Sequence, residues 1–199
     1  VTWHAQAGQD AWVVEQLGGL RGGWFVDVGA YDGVEHSNTL ALERDYGWSG
    51  LCVEPNPDAH RRLAASRSGS TCVCALASDR AVALPFDGIA VSVDAAARLT
   101  TADTLSRFLE DAAAPAVVDY LSVDVEGHEL HVLDGIDFDR WHVRLVTVEH
   151  NLYRDGPDRK DAIHRRLSAA GFERVVEDVV AAGYGPYEDW YRNSRSLAS

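Results

Sequence analysis

Five short apolar runs, at residues 24–28, 50–54, 71–76, 118–123 and 143–149, recur along the chain. Each is of the kind that fills a strand buried on both faces. Around them, residues 8–17, 37–46, 57–66, 103–112, 126–133 and 157–170 carry helical spacing, with Ser37 or Asn38 at a cap position and Pro57 and Pro157 at first-turn positions. Strand alternating with helix requires crossover connections, which confine the chain to a doubly wound, mostly parallel sheet with helices on both faces. The tail breaks that rhythm. Residues 172–180 and 187–192 are strand-like, with Gly183 and Gly185 between them and no room for a helix, so they are expected to pair as an antiparallel hairpin. The hairpin brings the sheet to seven strands. Residues 80–101 form a longer connection, expected to be a short hairpin or part of a lid.

A length of 199 residues with 46% apolar content supplies one core, so residues 1–199 are expected to form a single domain. The 31 acidic residues outnumber the 18 basic ones, and the net charge of −13 argues against a nucleic acid partner. Cys52, Cys72 and Cys74 all fall in strand-like runs and read as buried free thiols, the last two on one face. No apolar run is long enough to span a bilayer, and the first residues lack the basic start and apolar stretch of a secretory signal. A cytoplasmic protein is the expectation. The chain begins at Val1 and holds no methionine, which leaves room for residues ahead of it.

Ligands of such sheets bind at the carboxyl ends of the strands. The first end here reads Val28-Gly29-Ala30-Tyr31-Asp32-Gly33, where Gly29 and Gly33 let the backbone come close to a ligand. The second reads Val53-Glu54-Pro55, and Glu54 is placed to accept both hydroxyls of a ribose. These features suit NAD and S-adenosylmethionine alike, so charge must choose between them. A pyrophosphate needs backbone donors or cations, whereas this loop offers Asp27 and Asp32 and neither lysine nor arginine. Two carboxylates favour the ammonium and sulfonium of S-adenosylmethionine.

The chain resembles the FkbM family of methyltransferases through Gly8-Gln9-Asp10, residues 25–33, Ser37-Asn38-Thr39, residues 47–51, Glu54-Pro55-Asn56, residues 75–78, Thr104-Leu105, residues 122–129 and Val148-Glu149. The resemblance implies a Rossmann-like class I methyltransferase fold, S-adenosylmethionine as donor, and hydroxyl groups of sugars or natural products as acceptors. It also implies that Gln9, Asn38 and Thr39 lie near the methionine end of the donor, and that Ala77, Ser78 or Asp79 border the adenine. Ser122 departs from the pattern, since many relatives carry lysine there.

Methyl transfer is an in-line displacement, so the protein must align the acceptor and remove its proton. The fourth strand ends at Asp124, followed by Glu126 and Glu129, expected three apart on one helix face. The fifth delivers Glu149, His150 and Asn151. Asp124 and Glu126 are expected near the transferred methyl, with Glu149 and His150 shaping or deprotonating a small-molecule hydroxyl acceptor. Asp124, Glu149 and Asn151 also form an oxygen-rich set suited to Mg²⁺, as in catechol-type methyltransferases. His128 and His131 read as residues of a solvated helix face. Two rival readings stand beside this one: an NAD-dependent oxidoreductase, and a non-catalytic nucleoside-binding module.

Overall fold

The computed structural model describes residues 1–92, 94 and 97–197; residues 93, 95 and 96 of the long 80–101 connection, and 198 and 199 of the expected domain, lie outside that set. The main sheet is built from β1 (Trp24–Val28), β2 (Ser49–Val53), β3 (Ser70–Val73), β7 (Val117–Val123), β8 (His142–Glu149), β9 (Phe172–Val179) and β10 (Glu188–Asn193). Its order is β3-β2-β1-β7-β8-β10-β9. The first five of these run parallel, while β10 is antiparallel to both its neighbours. The terminal hairpin therefore forms as expected, but its second strand slots between β8 and β9.

Alternation along the strands separates two cores. Phe25, Cys52 and Tyr120 point to one face and pack under α1 (Gln9–Gln16), α2 (Leu40–Tyr46) and α3 (Pro57–Ser66). Val26, Val28, Leu51, Leu121 and Val123 point to the other, under α4 (Leu105–Asp111), α5 (Glu129–Asp134) and α7 (Pro157–Ala169). A short helix, α6 (Leu152–Asp155), leads from β8 into α7.

Several boundaries differ from the sequence reading. The 71–76 run is two elements: β3 stays in the main sheet, whereas β4 (Leu76–Ser78) joins β5 (Val82–Phe86) and β6 (Arg98–Thr104) in a separate three-stranded sheet. That sheet has its own small core of Leu76, Phe86 and Ala102. The 80–101 connection is thus a hairpin, β5 against β6. Asp103 and Thr104 belong to β6, and Thr104 Oγ1 caps α4 by accepting from the Arg107 N–H at 3.1 Å. Ser37 Oγ accepts from the N–H groups of Thr39 and Leu40, which holds residues 37–39 in a turn and delays α2 to Leu40. The 126–133 helix starts only at Glu129, because Glu126 (φ 55) and Gly127 (φ 112) are left-handed. Glu126 and Glu129 consequently share no helix face. Of the three thiols only Cys52 is buried; Cys72 is half-buried, and Cys74, beyond the end of β3, is exposed.

Candidate active site

A cavity of about 430 Å³ opens at the carboxyl ends of β1, β2 and β7, where the strand order reverses around β1. Gly29 sits in its wall with φ 88, and a Cβ there would come within 1.7 Å of the Asp124 carbonyl oxygen. Its N–H and that of Ala30 both reach the Val53 carbonyl, at 2.9 and 3.2 Å. Glycine is required here so that the ends of β1, β2 and β7 can close on one another, a protein contact rather than the ligand contact expected. Gly33 lies off the cavity, and its missing Cβ makes room for Leu63 and Arg67.

Glu54, at the end of β2, is 6% exposed and faces the cavity. One carboxylate oxygen accepts the Tyr31 N–H at 2.9 Å and the other the Asn56 N–H at 2.7 Å. Two backbone donors lock its orientation, and each oxygen keeps a lone pair for a ribose hydroxyl. Burial raises its pKa, and these hydrogen bonds work against that rise. Beyond Glu54 the wall turns apolar, with Pro55, Ala75, Ala77, Phe86 and Val91. On the other side of β1 it turns polar, with Gln6, Asp27, Asn38, Asp124 and Glu126.

Asp27 is anchored by Thr39, whose hydroxyl donates at 2.6 Å. Thr39 in turn accepts from Arg67 at 2.9 Å. Arg67 is fully buried and also donates to Glu43, Ser37 and the Gly33 carbonyl. Burial raises the Asp27 pKa, countered by Arg67 and Thr39. Asp32 faces outward, accepting from the Val34 and Glu35 N–H groups with Arg62 4.0 Å away. Asn38 donates to Ser122 at 2.9 Å, and its buried Oδ1 has no partner among the described residues. Gln9 is one layer behind, donating to Glu188 at 2.9 Å and to the Tyr187 hydroxyl at 3.1 Å. Thr39, Ser78, Gln9, Asp32 and Gly33 thus border the site without lining it, whereas Asp27, Gly29, Ala30, Asn38, Glu54, Pro55, Ala77 and Asp124 line it.

The acid end gathers Asp124, Glu126 and Glu149, each offering an oxygen within 4.8 Å of the others. Asp124 and Glu126 line the cavity, and the buried Glu149 stands behind them. Burial first, and the neighbouring carboxylates second, hold Asp124 and Glu149 well above the ordinary carboxyl range. Glu126 pairs at the rim with Arg154 at 3.0 Å. The Asn151 side chain favours the charged form of Glu149, yet neither Glu149 Oε2 nor Asn151 Nδ2 completes a hydrogen bond. Left-handed backbone concentrates here as well: Tyr31 (φ 48), His36 (φ 54) and Glu126 (φ 55) line the cavity, and Asn151 (φ 50) follows β8. Such strain collects where a site must be held open.

His150 is not brought to this cluster. It is fully buried, its Nδ1 accepts the Leu152 N–H at 3.1 Å, and its Nε2 lies 3.2 Å from Asp189. Asp189 and Glu188 are consecutive in β10 and point to opposite faces, so His150 and Glu149 are separated by the sheet. His150, Asp178 and Asp189 could themselves hold an ion, but Lys160 already meets Asp178 at 2.6 Å and Arg174 meets Asp189 at 3.0 Å.

Two residues escaped the sequence reading. Glu188 is buried beside the acid end, donated to by Gln9 and, at 2.6 Å, by the Trp190 indole, and pushed up to about 8 chiefly by burial. A carboxylate on the same strand face as Trp190, two residues on, was its one signal. His128 lines the cavity instead of a solvated helix face. Its position directly after Gly127, where the chain turns, was the available sign.

None of the described residues lining the cavity is lysine or arginine, which suits a ligand without phosphate. The Glu54 lone pairs and the unpartnered Asn38 Oδ1 offer acceptors to a ribose and an ammonium, so the residues present fit S-adenosylmethionine. The fold is the class I methyltransferase fold, and solved structures share it at low identity. A TehB-like SAM-dependent methyltransferase from Corynebacterium glutamicum aligns at TM-score 0.51 and 11% identity over 94% of this chain and 88% of its own. The magnesium protoporphyrin IX methyltransferase of Synechocystis aligns at 0.55 and 14% over 93% and 76%. The METTL16 MTase domain aligns at 0.59 and 12% over 92% and 65%. No curated protein gives a significant sequence match. The sequence model of the methyltransferase FkbM domain matches residues 27–174, most of the chain, and the chain belongs to that family. It is an S-adenosylmethionine-dependent methyltransferase, and the nicotinamide reading falls away. Among the described residues no helix is long and apolar enough to cross a membrane.

Proposed function

We propose that this single domain methylates a hydroxyl oxygen of a small acceptor such as a sugar or another natural product. One observation carries the reading: Asp124 faces the cavity with Glu149 behind it, and Glu149 keeps a buried oxygen without a partner. When bound, S-adenosylmethionine supplies a methyl group already activated by its sulfonium. Glu54 and Pro55 hold the ribose side, Asp27 and Asn38 the amino-acid side, and Gln9, Thr39 and Ser78 support them from behind. Asp124 accepts the acceptor's proton as the new bond forms, and a pKa raised by burial makes it a stronger base than an exposed carboxylate. Glu149 shares that proton and holds Asp124 in place, while Glu126 and Arg154 form the rim the acceptor passes.

A second reading adds a metal. Three carboxylate oxygens within 4.8 Å of one another, bordered by Asn151, are hard donors suited to Mg²⁺, which lowers the pKa of a bound hydroxyl. The test is transfer of labelled methyl to a panel of hydroxylated acceptors, with and without Mg²⁺, and mapping of the product by mass spectrometry. A methyl ether supports the oxygen assignment, and a methyl group found on nitrogen or carbon overturns it. Turnover that chelation leaves unchanged removes the metal.

A further inference from the structure

The contacts of His128 with β4 are not accounted for by any of the roles above. Ser78, the last residue of β4, donates its hydroxyl to Asp79 at 3.2 Å, so toward His128 Nε2, 3.1 Å away, the same oxygen acts as acceptor. On that basis we assign the imidazole proton to Nε2, which leaves Nδ1 as an acceptor. Ring rotation is restrained by stacking on His131, with centroids 4.3 Å apart and planes 23° from parallel. Burial, assisted by His131, pushes the His128 pKa down to about 4, so the ring is neutral near neutral pH. His128 is the N-cap residue of α5 but makes no side-chain capping bond, so its ring has no helical duty. It lines the cavity together with the apolar residues beyond Glu54, among them Pro55, Ala77 and Phe86.

We infer that His128 reads the edge of the cofactor's purine and selects adenine over 6-oxo purines. The exocyclic amine of adenine is a donor and matches Nδ1; a 6-oxo purine turns a carbonyl oxygen toward the same nitrogen, and two acceptors repel. Ser78 is the positioning residue, since it fixes which nitrogen carries the proton. The inference rests on the apolar arm beyond Glu54 being the nucleobase end of the cofactor site.

The experiment is calorimetric binding of S-adenosylhomocysteine and of its 6-oxo counterpart, S-inosylhomocysteine, to the wild-type chain and to His128→Ala, His128→Gln and Ser78→Ala, with melting temperature as a check on folding. The wild type is expected to prefer the adenine compound by about tenfold or more, and His128→Ala to bind the two within about twofold. Gln offers both a donor and an acceptor, so His128→Gln keeps the adenine compound and gains the 6-oxo one. Ser78→Ala frees the tautomer and lowers the preference while the ring is retained. A His128→Ala variant that keeps the wild-type ratio, or a wild type with no preference, overturns the inference while leaving the cofactor site standing. Binding of neither compound by the wild type overturns both. Should His128→Ala fail to fold, the other two variants decide in the same way.

Discussion

Glu54 and Glu149 end neighbouring halves of one sheet and are equally buried, at 6% exposure each, yet they are finished in opposite ways. Each oxygen of Glu54 holds a backbone N–H, and the Tyr31 and Asn56 amides pay for its burial before any ligand arrives. Glu149 has a buried oxygen without a partner, beside an unpartnered Asn151 amide and a second raised carboxyl at Asp124. An unmet buried acceptor costs on the order of 1–3 kcal/mol. A fold keeps such a cost where the missing partner comes with the reaction. The contrast teaches that Glu54 is preorganised before any ligand arrives, whereas the acid end is left incomplete, as the proposed uptake of a proton there requires.

The largest effect expected from this contrast is on turnover. Asp124→Asn removes the proposed proton acceptor and should lower the rate by about 10²–10⁴-fold. Binding of S-adenosylhomocysteine, followed by calorimetry, should change by less than about tenfold. Equal loss in rate and binding would erase the division of labour between the two ends. Next in size, Glu54→Ala should weaken S-adenosylhomocysteine binding by about 1.5–3 kcal/mol, the range for hydrogen bonds to a charged group. An unchanged affinity would remove Glu54 from the ribose side.

The last effect concerns pH, is small at any one pH unit, and sharpens the picture of the acid end. Glu188 has a folded pKa raised to about 8 from an ordinary 4.5. Between those values the folded chain binds more protons than the unfolded one, so its stabilising contribution, full below about 4.5, is lost as pH rises through 8. The slope is at most about 1.4 kcal/mol per pH unit for one proton. Glu188→Gln, which resembles the protonated acid, should flatten the fall in unfolding free energy, measured by denaturant titration between pH 5 and 8, by up to about that slope. Parallel curves for variant and wild type would mean that Glu188 is ionised throughout.

Much of this architecture was legible along the chain. The apolar runs at 24–28, 50–54, 118–123 and 143–149, the terminal hairpin, and the Glu54 and Asp124 strand ends follow from local periodicity and turn residues, and the folded chain keeps them. One further point lay within reach: a strand alternates faces at every residue, so Glu149 and His150 were bound to part. What stayed hidden is lateral or depends on backbone angle. Nothing in residues 71–78 announces that β4 leaves for a second sheet, because that choice rests on β6, more than twenty residues on. The left-handed backbone at Glu126, which turns an expected helical carboxylate into a rim residue paired with Arg154, is likewise absent from helical spacing.

By itself, then, the sequence determined the alternation of parallel strands with helices, the terminal hairpin, and which carboxylates stand at strand ends, because these follow from interactions between residues a few positions apart. Only the tertiary structure decided that β10 enters between β8 and β9 and sets Glu188 opposite Glu149, that Ser78 meets His128, and that Asp189 draws His150 away. Those contacts join residues from 39 to 50 positions apart, and they form only when the packing of the two cores has chosen each strand's neighbours.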